Sequence, residues 1–167
     1  MKHQEEEKFI SSNLQLEEAI KKVPQDKYEK FINQLELESI FLSSLEFERL
    51  LDAHLQEISE IRVEMEQNFS FENLPEYNKS FTLSKYTIFG IAANRKIFKL
   101  SIEISSEFSF KTIPFDKYIF TIFSHTTLNM ITFPYLRAIA SQVIANSGLG
   151  LFTLPLLKKL SKTENEI

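Results

Sequence analysis

The 167-residue sequence has no cysteine and no tryptophan, and it has only three glycines and three histidines. Without cysteine the chain forms no disulfide and no thiolate metal site, which is compatible with a reducing cytoplasm. Gly148 and Gly150 follow a predicted helix instead of preceding one, so their amides are wrongly placed for phosphate. A basic surplus is also missing, because the net charge is −4. This charge argues against a general nucleic-acid binder.

The sequence shows no residue pattern typical of an active site. His3, His54 and His125 are too few and too scattered for a metal cluster. Ser124 precedes His125, but a nucleophile and its base need spatial adjacency and an orienting acid. We therefore expect no enzymatic activity, no metal and no cofactor.

Sixteen phenylalanines make up most of the aromatic content. They fill a core, or some of them are exposed in a groove for apolar partners; both interpretations stay open.

Residues 118–136 carry no charge and are long enough to span a membrane. A membrane-spanning helix is disfavoured by the polar residues of this segment, by Pro134 and by Arg137, which follows it. These residues favour a helix pair buried by packing or oligomerisation. The acidic start, MKHQEEEKF, has no apolar run after it, so we expect no signal peptide.

A two-residue alternation predicts an antiparallel sheet in the middle of the chain. Over Phe98–Phe110 the even positions are mostly apolar and the odd ones polar, which predicts one buried and one wet face. Leu35–Phe47 and Ile61–Phe71 alternate similarly, with Phe41 on the same face as the leucines of the first segment. A less regular strand spans Phe81–Ala92. The short connection 93–96 suits a hairpin.

Helices are predicted on both sides of this sheet in the sequence. Asn13–Asn33 is predicted to form one or two helices, the second starting at Pro24. A further helix begins at Asp116 and runs to about His125.

The most specific segment is 132–157, TFPYLRAIASQVIANSGLGLFTLPLL. Thr132 is predicted to cap a helix with Pro134 in its first turn, and Gly148 is predicted to end it as a left-handed residue. A helix that opens with Phe-Pro-Tyr-x-Arg, ends at a glycine and precedes a Leu/Pro-rich segment resembles the end of the SecB family of protein-export chaperones.

The order of four strands followed by two helices resembles the same family. IFLSSLEFE at 40–48 and EIRVEME at 60–66 are similar to its first two strands, and 107–110 lies at its fourth. The resemblance implies an α+β fold, a four-stranded antiparallel sheet with helices packed on one face. It divides the chain into an N-terminal helical extension over 1–33, a SecB-like chaperone domain over 34–157 and a disordered tail over 158–167.

The resemblance implies an ATP-independent, cytoplasmic holdase that binds unfolded or nascent polypeptides for export. It also implies a homotetramer, a dimer of dimers, without nucleic acid and without stable membrane insertion. We expect the substrate groove to be lined by apolar residues at the strand ends and near the C-terminus: Phe47, Leu50, Leu51, Phe69, Phe71, Leu149, Leu151, Phe152 and Leu156. We expect the oligomer interface on the last helix, at Phe133, Tyr135, Leu136, Ile139 and Val143.

Two alternatives stay open. Some SecB-like proteins hold a single antitoxin of a toxin–antitoxin system, and a small-ligand binder could use the apolar cleft.

In the export family, acidic residues on the exposed sheet face dock the motor SecA. Ser44 and Ser101 stand where two of those acids would be, which puts SecA docking in doubt. The candidate docking acids in this sequence are Glu48, Glu103 and Glu107.

Overall fold

The computed structural model describes residues 10–11, 16–50, 61–149 and 154. The segment predicted to be a tail, 158–167, lies outside these residues. Along the chain the helices and strands are β1 (Ile10–Ser11), α1 (Leu16–Lys22), α2 (Gln25–Gln34), β2 (Glu36–Arg49), β3 (Arg62–Leu74), β4 (Lys79–Ala92), β5 (Arg95–Ser109), α3 (Lys117–Phe123) and α4 (Asn129–Asn146).

Four long antiparallel strands form the sheet in the spatial order β3-β4-β5-β2, and the two-residue β1 adds to the outer side of β3. Strands β3, β4 and β5 follow one another as hairpins, whereas β2 lies across the sheet and pairs with β5. Among the described strands, β2 is therefore one edge of the sheet, and β3 with β1 is the other. The predicted four-stranded antiparallel sheet is confirmed.

The β4–β5 hairpin turns at Ala93 and Asn94, whose φ angles are 47° and 59°. Two consecutive positive φ angles define a type I′ turn, which suits the twist of a hairpin. Just before the turn, the register shifts between Gly90 and Ile91. Gly90 lies opposite Phe98, and a Cβ at Gly90 would lie 2.0 Å from Phe98 Cε1. The hairpin predicted at 93–96 is confirmed, with glycine leaving room for the ring.

The helix-facing side of the sheet forms the core. Ile102 and Ile104 are buried, whereas Glu103 between them is not, so the alternation predicted for β5 is confirmed. Phe71 of β3 packs against Phe120 of α3 with ring centroids 4.3 Å apart. Core filling accounts for many of the phenylalanines, and those buried are Phe31, Phe69, Phe71, Phe98, Phe108, Phe110, Phe115, Phe120, Phe123 and Phe133.

The first two helices share this core. Phe31 of α2 is fully buried and packs edge-on against Phe115, 4.8 Å between centroids. At the end of α2, the Gln34 side chain accepts a hydrogen bond from the Thr112 N–H at 2.7 Å and donates one to the Ile113 carbonyl at 2.8 Å. The helices predicted over 13–33 are thus held on the sheet by packing and by paired polar groups.

The C-terminal helix begins earlier than predicted. Helix α3 is capped by Asp116, as expected, and continues through a π-helical turn (Ser124–Leu128) directly into α4. The cap predicted at Thr132 is therefore wrong, and Pro134 lies inside α4.

Tertiary contacts explain the difference. The buried Thr132 hydroxyl donates to the Leu128 carbonyl at 2.9 Å and is also hydrogen-bonded to the Tyr86 hydroxyl. Pro134 has no N–H, so it cannot donate the helical hydrogen bond to the carbonyl of Met130 four residues earlier. Both residues lie on the exposed side of the helix. The predicted end is confirmed, because Gly148 has a φ of 79°. No helix of the described ranges is long and apolar enough to span a membrane.

Candidate functional site

An apolar row lies on the helix-facing side of β2. Leu42 lies opposite Ile104, Leu45 opposite Ile102, and directly paired residues project to the same face of a sheet. Because β2 is an edge strand that the described helices leave uncovered, these side chains are not buried as their partners are. The β2 apolar row consists of the exposed Leu37, Leu42 and Leu45, each 44–45% exposed, and the half-buried Ile40 and Phe47.

Two bulges set the spacing of this row. The register of β2 against β5 shifts between Leu37 and Ser39, and again between Leu42 and Ser44. Each shift inserts one unpaired residue and changes the phase of the alternation. Phe41 consequently lies opposite Ser105 on the outer face, 52% exposed, so its predicted place beside the leucines is wrong.

The backbone of β2 is the second element of this surface. Among the residues that the structure describes, no strand pairs with the side of β2 that faces away from β5. An edge strand of this kind presents N–H and C=O groups that accept another extended chain. The β2 apolar row and this edge together offer both side-chain and main-chain contacts.

The predicted groove residues divide into accessible and buried positions. Phe47 lies in the β2 apolar row and packs against Phe98, 5.8 Å between ring centroids. Leu50 is 37% exposed, and its N–H donates to the Ile97 carbonyl at 2.9 Å, which holds the end of β2 against β5. Phe69, Phe71 and Leu149 are buried, and Leu51, Leu151, Phe152 and Leu156 lie outside the described residues.

The burial of Phe69 and Phe71 follows from their register. Both side chains project from β3 toward the helices, where Phe69 packs edge-on against Tyr86 at 6.1 Å. Leu37, Leu42 and Leu45 were not among the residues expected to line the groove. One signal could have indicated them: β2 carries apolar residues on both faces, whereas β5 carries them on one.

The predicted oligomer residues lie on two sides of α4. Phe133 and Leu136 are buried in the core of the protomer itself. Tyr135 is 48% exposed, and Ile139 and Val143 are half-buried. With Ile131, these three recur every four residues and therefore share one side of the helix, which we call the α4 flank.

The outer face of the sheet carries ion pairs between strands. Glu103 binds Lys85 at 2.8 Å, and Glu107 forms an ion pair with Lys79. The hydrogen bond from Lys79 lowers the pKa of Glu107, and the hydrogen bond to Glu103 raises the pKa of Lys85. Two of the three candidate docking acids, Glu103 and Glu107, are thus paired with lysines of the same sheet. The third, Glu48, lies opposite Lys99.

Neither catalysis nor metal binding gains support from this geometry. The Ser124 hydroxyl donates to the Thr121 carbonyl at 3.1 Å, a contact within its own helix. The His125 ring packs against Phe69 at 6.3 Å, and partial burial lowers the pKa of His125. The described residues contain no group of three or more histidine and acidic side chains placed to bind a metal.

The fold is similar to that of a SecB-like chaperone, Rv1957 of Mycobacterium tuberculosis, in complex with a ChAD peptide from the antitoxin HigA1 (Rv1956). The TM-score is 0.64 at 14% identity, and the match covers 77% of this chain and 94% of that chain. A Streptococcus agalactiae protein of unknown function matches 74% of this chain and 98% of its own at 11% identity, with a TM-score of 0.46. No family model and no curated protein matches the sequence. The SecB-like α+β fold predicted from the sequence is confirmed.

Proposed function

We propose that this protein is a SecB-like chaperone that holds apolar segments of unfolded or nascent polypeptides in the cytoplasm, without ATP and without catalysis. The observation that carries this proposal is the β2 apolar row beside an edge with no described strand on it. Three half-exposed leucines in a row on one strand form an apolar patch. Such patches on a folded domain mark surfaces that a binding partner covers. The similarity of fold to a SecB-like chaperone supports the same function.

The exposed area indicates weak binding at each site. Burying a leucine completely contributes about 1.5–3 kcal/mol, so covering the remaining half of Leu37, Leu42 and Leu45 contributes roughly 3 kcal/mol in total. A dissociation constant of 1 mM already corresponds to about 4 kcal/mol. Tight holding therefore needs main-chain hydrogen bonds at the edge and several sites acting on one client.

Several copies of the β2 apolar row can act on one client only in an oligomer. We propose that the α4 flank contributes the interface through Tyr135, Ile139 and Val143, in the homotetramer that the family resemblance implies. Phe133 and Leu136, also expected there, support the helix from inside the core. Apolar residues that recur every four positions form a ridge along one side of a helix. Such a ridge packs well against a second helix.

A chaperone dedicated to one antitoxin is the second candidate. The outer face favours it over export, because Glu103 and Glu107 are already paired with lysines and Ser44 lies opposite Glu103. A basic SecA segment would have to compete with those lysines. The antitoxin peptide bound to the similar chaperone supports the same alternative.

Aggregation of a chemically unfolded protein, followed by light scattering without ATP, tests the function. We expect the wild type to suppress scattering and Leu42→Ser/Leu45→Ser to lose most of this effect. Phe41→Ser is the control, because Phe41 is somewhat more exposed than either leucine and lies on the opposite face of the same strand. Equal suppression by the double variant and the control, at unchanged circular dichroism, would remove the β2 apolar row from the function.

A further inference from the structure

We propose that α3 separates from the sheet when a client binds, and that the phenylalanines beneath it then extend the β2 apolar row. The inference rests on the proposed function, because it specifies how that row gains enough apolar surface to hold a polypeptide. The half-exposed leucines of the row give less than millimolar affinity on their own. Each phenylalanine that a client covers offers about 150–250 Å² in addition.

A seam of buried hydroxyl groups lies between α3 and the sheet. Four successive helix-facing residues of β4 carry a buried hydroxyl group: Ser80, Thr82, Ser84 and Tyr86. Ser106 of β5 lies opposite Thr82 and adds a fifth, and we call these five residues the hydroxyl seam. Phe120 of α3 lies above the seam, since it packs on Phe71, the residue opposite Thr82 on β3. The contact between α3 and the middle of the sheet is therefore partly polar.

Part of the hydroxyl seam lacks good hydrogen bonds. Within the described residues the Ser106 hydroxyl has no partner, and the Thr82 hydroxyl reaches the Ser106 carbonyl only at 3.5 Å. The hydroxyls above the seam donate within their own helix, Thr121 to the Lys117 carbonyl and Ser124 to the Thr121 carbonyl. A buried hydroxyl without a partner destabilises the closed contact and is hydrated once the contact opens. The seam thus lowers the free energy needed to separate α3 from the sheet.

The hydroxyl seam adjoins the β2 apolar row. Ile40 lies opposite Ser106, and Leu37 lies opposite Phe108. Phe108 packs edge-on against Phe123 of α3, with ring centroids 5.3 Å apart. Movement of α3 away from the sheet would uncover Phe108 beside Leu37, so a client on the row would meet one continuous apolar surface.

The π-helical turn after α3 is the hinge for this movement. Between Ser124 and Leu128 the regular hydrogen bonding of the α-helix is interrupted, and a helix bends most readily at such a turn. Beyond the turn, the hydrogen bond between the Tyr86 and Thr132 hydroxyls holds α4 on the sheet. α3 can therefore tilt while α4 stays in place.

Ser106→Ala removes the unpartnered hydroxyl and nearly keeps the size of the side chain. We expect urea unfolding to give a higher midpoint and an unfolding constant lowered roughly fivefold. Ser80→Ala is the matched control, because Ser80 is equally buried but its hydroxyl donates to the Glu72 carbonyl at 3.1 Å, so this variant should lose stability. A lower midpoint for Ser106→Ala would show that its hydroxyl has a partner, such as a bridging water, and would overturn the inference.

Hydrogen exchange measures the separation itself. In the wild type we expect the hydrogen-bonded amides of α3 to exchange severalfold faster than those between β4 and β5, because α3 opens locally. Ser106→Ala should slow exchange in α3 roughly fivefold, since the open state no longer gains a hydrated hydroxyl. Equal exchange in α3 and the sheet, or an unchanged rate in the variant, would overturn the inference.

Aggregation suppression connects this opening to client binding. At equal concentration Ser106→Ala should suppress scattering roughly twofold less than the wild type, although it is more stable. Ala93→Gly controls for added stability, because it relieves the positive φ of 47° at the hairpin turn, away from the hydroxyl seam, and should suppress as the wild type does. An equal loss in Ala93→Gly would assign the effect to stability in general and overturn the inference.

The same assay separates this inference from the proposed function. Undiminished suppression by Ser106→Ala, with slower exchange in α3, refutes the opening as a step in client binding and leaves the chaperone function standing. Absence of suppression in the wild type refutes the chaperone function, and the inference with it.

Discussion

Gly90→Ala is expected to destabilise the fold strongly, because a methyl group at this position enters the ring of Phe98. The added Cβ would lie 2.0 Å from Cε1, 2.4 Å from Cδ1 and 2.7 Å from Cζ of that ring. Phe98 is fully buried, and Phe47 packs on it at 5.8 Å, so the ring cannot withdraw without disturbing β2.

The expected loss is near the upper end of the range for overpacking, about 3 kcal/mol. Phe98→Leu alone should cost about 1–2 kcal/mol through lost packing. The double variant should cost clearly less than the sum, since the smaller side chain makes room for the methyl group. A coupling of about 1 kcal/mol or more is expected.

Equilibrium urea unfolding followed by circular dichroism measures these free energies, provided that the slope with denaturant stays constant among the variants. Additive costs, within about 0.5 kcal/mol, would show that the two residues do not oppose each other. Phe98 would then not fill the space beside Gly90, and Phe47 would not hold its ring in place.

Two further predictions concern the turn and the pH dependence. Ala93→Gly should stabilise the protein by about 1 kcal/mol in urea unfolding, because glycine adopts the positive φ of 47° without strain; a loss of stability would contradict the I′ turn. Partial desolvation lowers the pKa of His125, an exposed residue whose ring packs on Phe69, below its ordinary 6.5. The unfolded chain therefore binds protons more readily, and stability should fall as the pH drops from 7 through that lowered value. His125→Asn should flatten this slope in a series of urea midpoints, and an unchanged slope would assign it to other groups.

The sequence predicts elements whose pattern is local and regular. The alternation of β5 is visible because every second residue faces water, and the type I′ hairpin needs only a short connection. The alternation of β2 is misleading, because bulges after Leu37 and Leu42 change its phase and place Phe41 on the outer face. Bulges depend on the partner strand, which the segment alone does not contain.

Positions decided by distant contacts were also missed. Thr132 is chemically suited to cap a helix, and only the buried Tyr86 hydroxyl and the preceding π-helical turn explain why it lies within one. Phe69 and Leu42 are both apolar strand residues, yet one is covered by helices and the other is not. Burial of this kind depends on the order of strands in the sheet, so the candidate groove could be predicted only in part.

Labels on the two faces of β2 test directly whether polypeptides bind on its helix-facing side. The absence of cysteine permits single labels. An environment-sensitive fluorophore on Leu42→Cys reports on the β2 apolar row, and one on Phe41→Cys reports on the opposite face of the same strand. Titration with an unfolded protein should shift the emission of the Leu42→Cys label to shorter wavelength and leave the Phe41→Cys label unchanged. A shift at Phe41→Cys alone, or at neither position, would contradict binding on the helix-facing side.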